Sequence, residues 1–139
     1  MSEELAVRKV IEGIRDTLSV LDVDGWFSHF NPEHTFVNQG AVFVAKTIDY
    51  SKAAFAPMIA GLKERGFTGT VLDLCNIRTI GPNSAIAATQ WTRLGQGDEV
   101  LKRLGTTYTL VKVGAEWKVA VVTVHDEDVV LFELSSGTD

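Results

Sequence analysis

Cysteine, proline and histidine are scarce in this chain: one, three and three among 139 residues. A lone thiol, Cys75, excludes an intramolecular disulfide and a cysteine-rich zinc site. With no histidine partner indicated nearby, it reads as an inert strand residue and not a nucleophile. Long apolar runs are missing too; none approaches the length of a membrane span, so no membrane association is expected. The first residues, MSEELAVRKV, lack the uncharged apolar stretch and small-residue cleavage site of a secretory leader. The cytoplasm is the expected compartment. Basic residues are in deficit, 13 Lys and Arg against 18 Asp and Glu, for a net charge of −5. The densest basic cluster is the pair Lys102-Arg103. Nucleic acid requires a concentrated cationic face, so no such partner is expected, and the acidic balance serves solubility. His, Asp and Glu show no metal-ligand spacing, and no cofactor motif is present; neither a metal nor a cofactor is expected.

What is there is ordinary globular material, 45% hydrophobic and 22% charged. A domain of this size buries roughly 68–70% of its unfolded surface and needs no covalent staple. One domain over residues 1–134 is expected, with Ser135-Ser136-Gly137-Thr138-Asp139 as a flexible tail.

Three β-rich runs organise the chain: SAIAATQWTRL from Ser84, LKRLGTTYTLVKV from Leu101, and EWKVAVVTVHD from Glu116. Glycine-bearing connections, Leu94 to Asp98 and Gly114-Ala115, join them as an antiparallel meander. Upstream, Ser2 caps a helix with Glu3 and Glu4 in its first turn. Val7, Val10, Ile11, Ile14, Leu18 and Leu21 give that helix one apolar stripe. A second, short helix runs from Asp22 or Asp24 to Phe30, stopped by Asn31-Pro32. Short strands follow at His34–Asn38 and Ala41–Ala45. A third helix runs from Asp49 or Ser51 to Arg65, with Ala54, Met58, Ile59 and Leu62 buried, Pro57 inside it and Gly66 as its stop. Thr68 to Ile80 forms a long strand. The order ααββαββββ is α+β, with helices first and a curved antiparallel sheet behind them. Residues 126–134 carry three acids and an apolar run, and read as an extension of the last strand, or else as a segment packed over the cavity mouth or a partner subunit.

The stretch from Leu18 to Phe30 after a first helix, then a short strand, together with the closing hairpin Lys112 to Val121, resembles the NTF2-like superfamily (SnoaL-like, ketosteroid-isomerase-like). The likeness covers nearly the whole chain and implies a cone: a bent sheet wrapped around helices, enclosing a cavity. Such folds serve isomerases, dehydratases, cyclases, hydrolases and non-catalytic dimerisation modules, so the fold does not settle the chemistry. Steroid-isomerase members carry a tyrosine, a base carboxylate and a protonated aspartate where this chain aligns Ile14, Asn38 and Thr107. Ile14 cannot donate a hydrogen bond and an amide is no base near neutrality, so that chemistry is not expected. Dehydratase-like members use a His–Asp pair; His34 with Asp73 is the weak catalytic candidate here, and surface positions are the plainer reading of both.

On the last strand both faces are apolar, Trp117, Val119 and Val121 against Ala120, Val122 and Val124, so both must be covered. By the family alignment Ala88, Gln90, Thr92, Thr107, Thr109, Ala120, Val122 and Val124 face the cavity. Trp26, Phe30, Phe36 and Met58 are expected as pocket walls, and Asn38, Gln90, Thr92 and Thr107 as orienting groups. Trp91, Tyr108, Leu110, Trp117, Val119 and Val121 then form an outer patch of a kind monomers avoid, implying a homodimer packed sheet to sheet. A one-residue slip at a bulge exchanges the faces and puts Trp91 and Tyr108 in the pocket.

The function expected is a pocket protein binding a small, largely apolar metabolite. Two alternatives stand beside it: a SnoaL-type lyase or isomerase acting on a small carbonyl compound, and a non-catalytic dimerisation module.

Overall fold

The computed structural model describes residues 2–129. The expected domain boundary at 134 and the tail 135–139 lie outside the described residues.

Helix α1 (Glu3–Ser19) starts where Ser2 Oγ accepts the Leu5 N–H at 3.1 Å, as a hydroxyl N-cap should. Val7, Ile11 and Ile14, at helical spacing, are its buried stripe. Asp22 caps helix α2 (Val23–Phe27) by accepting the Gly25 N–H at 3.0 Å. This helix is shorter than expected. Phe30, Asn31 and Pro32 belong instead to strand β1 (Phe30–Asn38). Pro32, which has no N–H to give a ladder, sits where the pairing between β1 and the last strand shifts, between Phe30 and Thr35. The chain turns back at Gln39 (φ 50°) and Gly40 (φ 84°) into β2 (Ala41–Ala45), a two-residue hairpin of the type that needs two positive φ values.

Helix α3 (Ile48–Glu64) starts earlier than Asp49 or Ser51. Thr47 is its cap, accepting the Tyr50 N–H at 3.2 Å. Pro57 lies inside it, and Gly66 at φ 74° closes it. Its buried residues are Ser51, Ile59 and Leu62. Ala54 is exposed and Met58 half-buried, because both face a hollow and not the core. Then come β3 (Gly69–Ile80), β4 (Ser84–Leu94), a 3-10 turn (Gln96–Asp98), β5 (Val100–Val113) and β6 (Glu116–His125). Strand β6 does not run on to residue 129: the chain leaves the sheet after His125 and turns, with the Val129 N–H bonded to Asp126 O at 3.2 Å.

The six strands form one curved open sheet in the order β2-β1-β6-β5-β4-β3, antiparallel except for the β1–β6 pair. Helix α1 packs chiefly on β3, with further contact to β4 and β6, and α3 leans on β1 and β2. The chain is thus α+β, with the helices on one side of the sheet.

Three bulges set which residues turn inward. Asp73 is the extra residue of β3, Leu101 of β5 and Ala120 of β6, since the pairings step from Leu72/Trp91 to Leu74/Gln90, from Arg93/Lys102 to Leu94/Val100, and from Thr109/Val121 to Leu110/Val119. The β6 bulge puts Trp117 and Val119 on the same face as Val122 and Val124. The consequence is a correction to the expected outer patch. Trp91, Tyr108, Leu110, Trp117 and Val119 are all buried in the core, Leu110 and Val119 completely. Val121 alone of the six stays outside, half-buried opposite Thr109. Gln90, Thr92, Thr107 and Ala88 form the outer face instead. The larger side chains go in because the sheet's concave side and the helices can remove more of their area from water.

Candidate functional site

Between the sheet and α3 lies a cavity of about 520 Å³. Helix α1 closes its floor with Ile14 and Leu18, and α2 contributes Trp26. Phe55 and Met58 of α3, Phe36 and Phe43 of the β1–β2 hairpin, and Leu104, Val122 and Val124 of the sheet complete an apolar wall. The aromatic rings lock one another: Phe36 and Phe55 have centroids 4.6 Å apart, and Trp26 meets Phe55 edge-on at 5.8 Å. Trp91 is held from the β4 side. Its indole N–H donates to Thr89 Oγ1 at 2.7 Å, and the Thr89 hydroxyl donates to Thr106 O at 2.6 Å.

Of the expected pocket residues, Trp26, Phe36, Asn38 and Met58 line the cavity. Phe30 lies behind them, buried against Trp26 and stacked on Phe36 at 5.6 Å. Gln90, Thr92 and Thr107 do not line it. Thr92 donates to the Asp73 carboxylate at 2.6 Å and Thr107 bonds His125 Nε2 at 2.8 Å, both on the outer face. Trp91 and Tyr108 take their place on the wall, as the slipped phase required. At the steroid-isomerase positions, Ile14 and Asn38 reach the cavity and Thr107 does not.

His34 and Asp73 are not brought together: β1 and β3 are four positions apart in the order of the sheet. His34 is not at the surface. It is buried among Phe27, Phe30 and Phe36, and its Nε2 lies 2.5 Å from the Oγ of fully buried Ser51. Its Nδ1 faces the carbonyls of Asn31 at 2.9 Å and Pro32 at 3.2 Å. A carbonyl only accepts, so Nδ1 carries a proton and, in the neutral ring, Nε2 accepts from the serine. Both side chains are buried and neither lines the cavity, so the pair ties α3 to β1. Cys75 is half-buried, and burial pushes its thiol upward against the opposing pull of Arg8, which favours the unreactive protonated form.

The ionisable residues on the cavity wall are Tyr108, expected there only in the slipped phase, and Arg93 and Lys102, which were not foreseen; no carboxylate or imidazole is among the described lining residues. Burial holds the Tyr108 hydroxyl well above the ordinary phenol range, so it is a neutral donor. Burial also lowers Arg93, with Tyr108 acting upward and Arg65 adding to the downward shift, yet a guanidinium remains charged at neutral pH. Alternation along β4 and β5 gives the only sequence signal for these residues: Arg93 is two residues from Trp91, and Lys102, Leu104, Thr106 and Tyr108 share one face.

The comparisons with known proteins agree with this architecture. A structure of an NTF-2 like protein of unknown function from Shewanella oneidensis superposes with a TM-score of 0.73 at 13% identity, covering 87% of this chain and 97% of that one. A Nostoc punctiforme protein of unknown function with a cystatin-like fold gives 0.73 at 14% identity over 94% and 96% of the two chains. An NTF2-like protein with a cystatin-like fold from Novosphingobium aromaticivorans gives 0.73 at 12% identity over 91% and 82%. At such identities the likeness is one of fold. No curated protein matches the chain by sequence. The family model described as NTF2-like protein (DUF6841) matches residues 3–127, and the chain belongs to that NTF2-like family.

Proposed function

We propose that this protein binds a small, largely apolar metabolite in the cavity between the sheet and α3. The observation that carries the reading is the wall itself: aromatic and aliphatic side chains around about 520 Å³, within the usual range for small-molecule sites, with few polar groups. Binding without turnover is favoured over a SnoaL-type lyase or isomerase, because the described lining offers no carboxylate or imidazole to take a proton from carbon. A metabolite library screened by thermal shift tests it, since a ligand held only by the folded state raises the midpoint. Hits confined to compounds with an apolar body are the expected result; a library without hits at millimolar concentration would remove the proposal. The half-buried thiol suits a reducing compartment, the cytoplasm.

A two-fold pairing through the outer face remains part of the reading, on different residues from those first expected. Gln90, Thr109 and Val121 are half-buried on this face, with Ala88 and Thr107 buried between them. Exposed Val44 extends it along β2. Sedimentation should show a dimer at micromolar concentration, and a monomer there would sink the pairing.

A further inference from the structure

The charges in the cavity are all of one sign. Arg93 and Lys102 stand directly opposite each other on β4 and β5, and both line the hollow. Like charges at a directly opposed pair destabilise a sheet. Neither side chain forms an ion pair among the described residues, although the protein as a whole carries an excess of acids. Acids pair with cations elsewhere: Lys52 with Asp24, Lys112 with Glu3, Lys118 with Glu116. A third cation, Arg65, donates to Leu101 O at 3.1 Å and adds its field to the same end. Arg93 is half-buried while Lys102 is exposed, which orders them along the cavity from inner wall to mouth. Beyond Arg93 the wall turns apolar, with Tyr108 as a neutral hydroxyl donor.

From this juxtaposition of two unneutralised cations with an aromatic-walled hollow, we infer that the ligand is an apolar carboxylate, its ring or chain between Trp26, Phe55 and Trp91 and its carboxylate on Arg93 and Lys102. The inference rests on the binding reading above and names its ligand class. A planar guanidinium matches a carboxylate with two parallel hydrogen bonds. In a site partly closed to water such a charge-assisted bond is stronger than at the surface. A phosphate ester fits less well, because its second charge would call for a nest of backbone N–H groups or further cations, and the rest of the lining is apolar or neutral.

The test uses matched pairs on the full chain, 2-naphthoic acid with 2-naphthamide and decanoic acid with decanol, titrated by calorimetry. Each acid is expected to bind at least tenfold tighter than its neutral partner. Arg93→Met, which keeps length and removes charge, should lower the affinity for each acid at least tenfold, so that the acid and its neutral partner then bind alike. Lys102→Met should reduce it severalfold, and raised salt should act in the same direction. Circular dichroism and the urea midpoint show that each variant is folded. If the amide and the alcohol bind as tightly as the acids, the carboxylate inference fails and the pocket reading survives. If no member of the panel binds, both fail together.

Discussion

Removing the hydroxyl of Ser51 should destabilise the fold far more than a serine-to-alanine change on a helix usually does. The Ser51 side chain is fully buried and His34 is 3% exposed, with 2.5 Å between Oγ and Nε2. Phe27, Phe30 and Phe36 surround the imidazole with centroids 6.0, 5.3 and 5.8 Å away, so no other described group replaces the serine. In Ser51→Ala one hydrogen bond is lost, about 1 kcal/mol net, and a buried acceptor is orphaned at a further cost of about 1–2 kcal/mol. Alanine's better helix propensity returns about 0.5 kcal/mol. The sum is a loss of about 2 kcal/mol, a fall in melting temperature of roughly 6–10 °C for a domain of this size. Urea unfolding followed by tryptophan fluorescence measures it, with an unchanged slope showing that the unfolded surface is the same. Combining Ser51→Ala with His34→Phe should recover part of the loss, since both polar groups then vanish together. A loss below about 0.5 kcal/mol in the single variant, or strict additivity in the double, would show that the two side chains are not joined in a dry interior.

Other expectations follow from the same coordinates. Leu110 is fully buried, so Leu110→Ala should cost about 2–5 kcal/mol, while Thr109→Ala on the outer face should cost under about 1 kcal/mol; the reverse order in urea melts would restore the face assignment rejected above. His29 is held below its ordinary value, first by burial and then by the Lys118 charge, with a bond to Gly13 opposing. The unfolded chain therefore binds a proton more readily than the folded one, and stability should rise with pH up to the ordinary imidazole value of about 6.5 and then level off. His29→Gln should flatten that rise, and an unaltered pH profile of the urea midpoint would contradict it.

Element order was legible because it depends on local signals. Ser2 before two glutamates, apolar residues three and four apart, Gly114 in a tight turn and the β-branched runs each act within a few residues. The bounds of β2 and β4 follow from such signals alone. Faces were not legible in the same way. They depend on whether an extra residue stands at position 73, 101 or 120, and one residue reverses every side chain beyond it. An alignment carries the family's phase through such points unnoticed. A cue did exist in β5, where Leu104, Tyr108 and Leu110 alternate with Gly105, Thr107 and Thr109. The bulkier set belongs inside unless a partner covers it, and the expected homodimer was made to supply that cover. His34 was hidden for a different reason: its partner Ser51 is seventeen residues away on another element, and no local pattern marks the pair. Arg93 and Lys102 are visible as residues, but their meeting in the cavity is set by the β4–β5 register.

Ligand binding to a variant with the hollow filled tests the proposed function most directly. Ala54 lines the cavity on α3 and is exposed to it, so Ala54→Phe places a ring in that space at little cost to the core. The wild-type chain should show a dose-dependent rise in melting temperature with 2-naphthoic acid, and the Ala54→Phe chain, folded and equally stable alone, should show none. An equal rise in both chains would place the ligand elsewhere and contradict the cavity as the binding site.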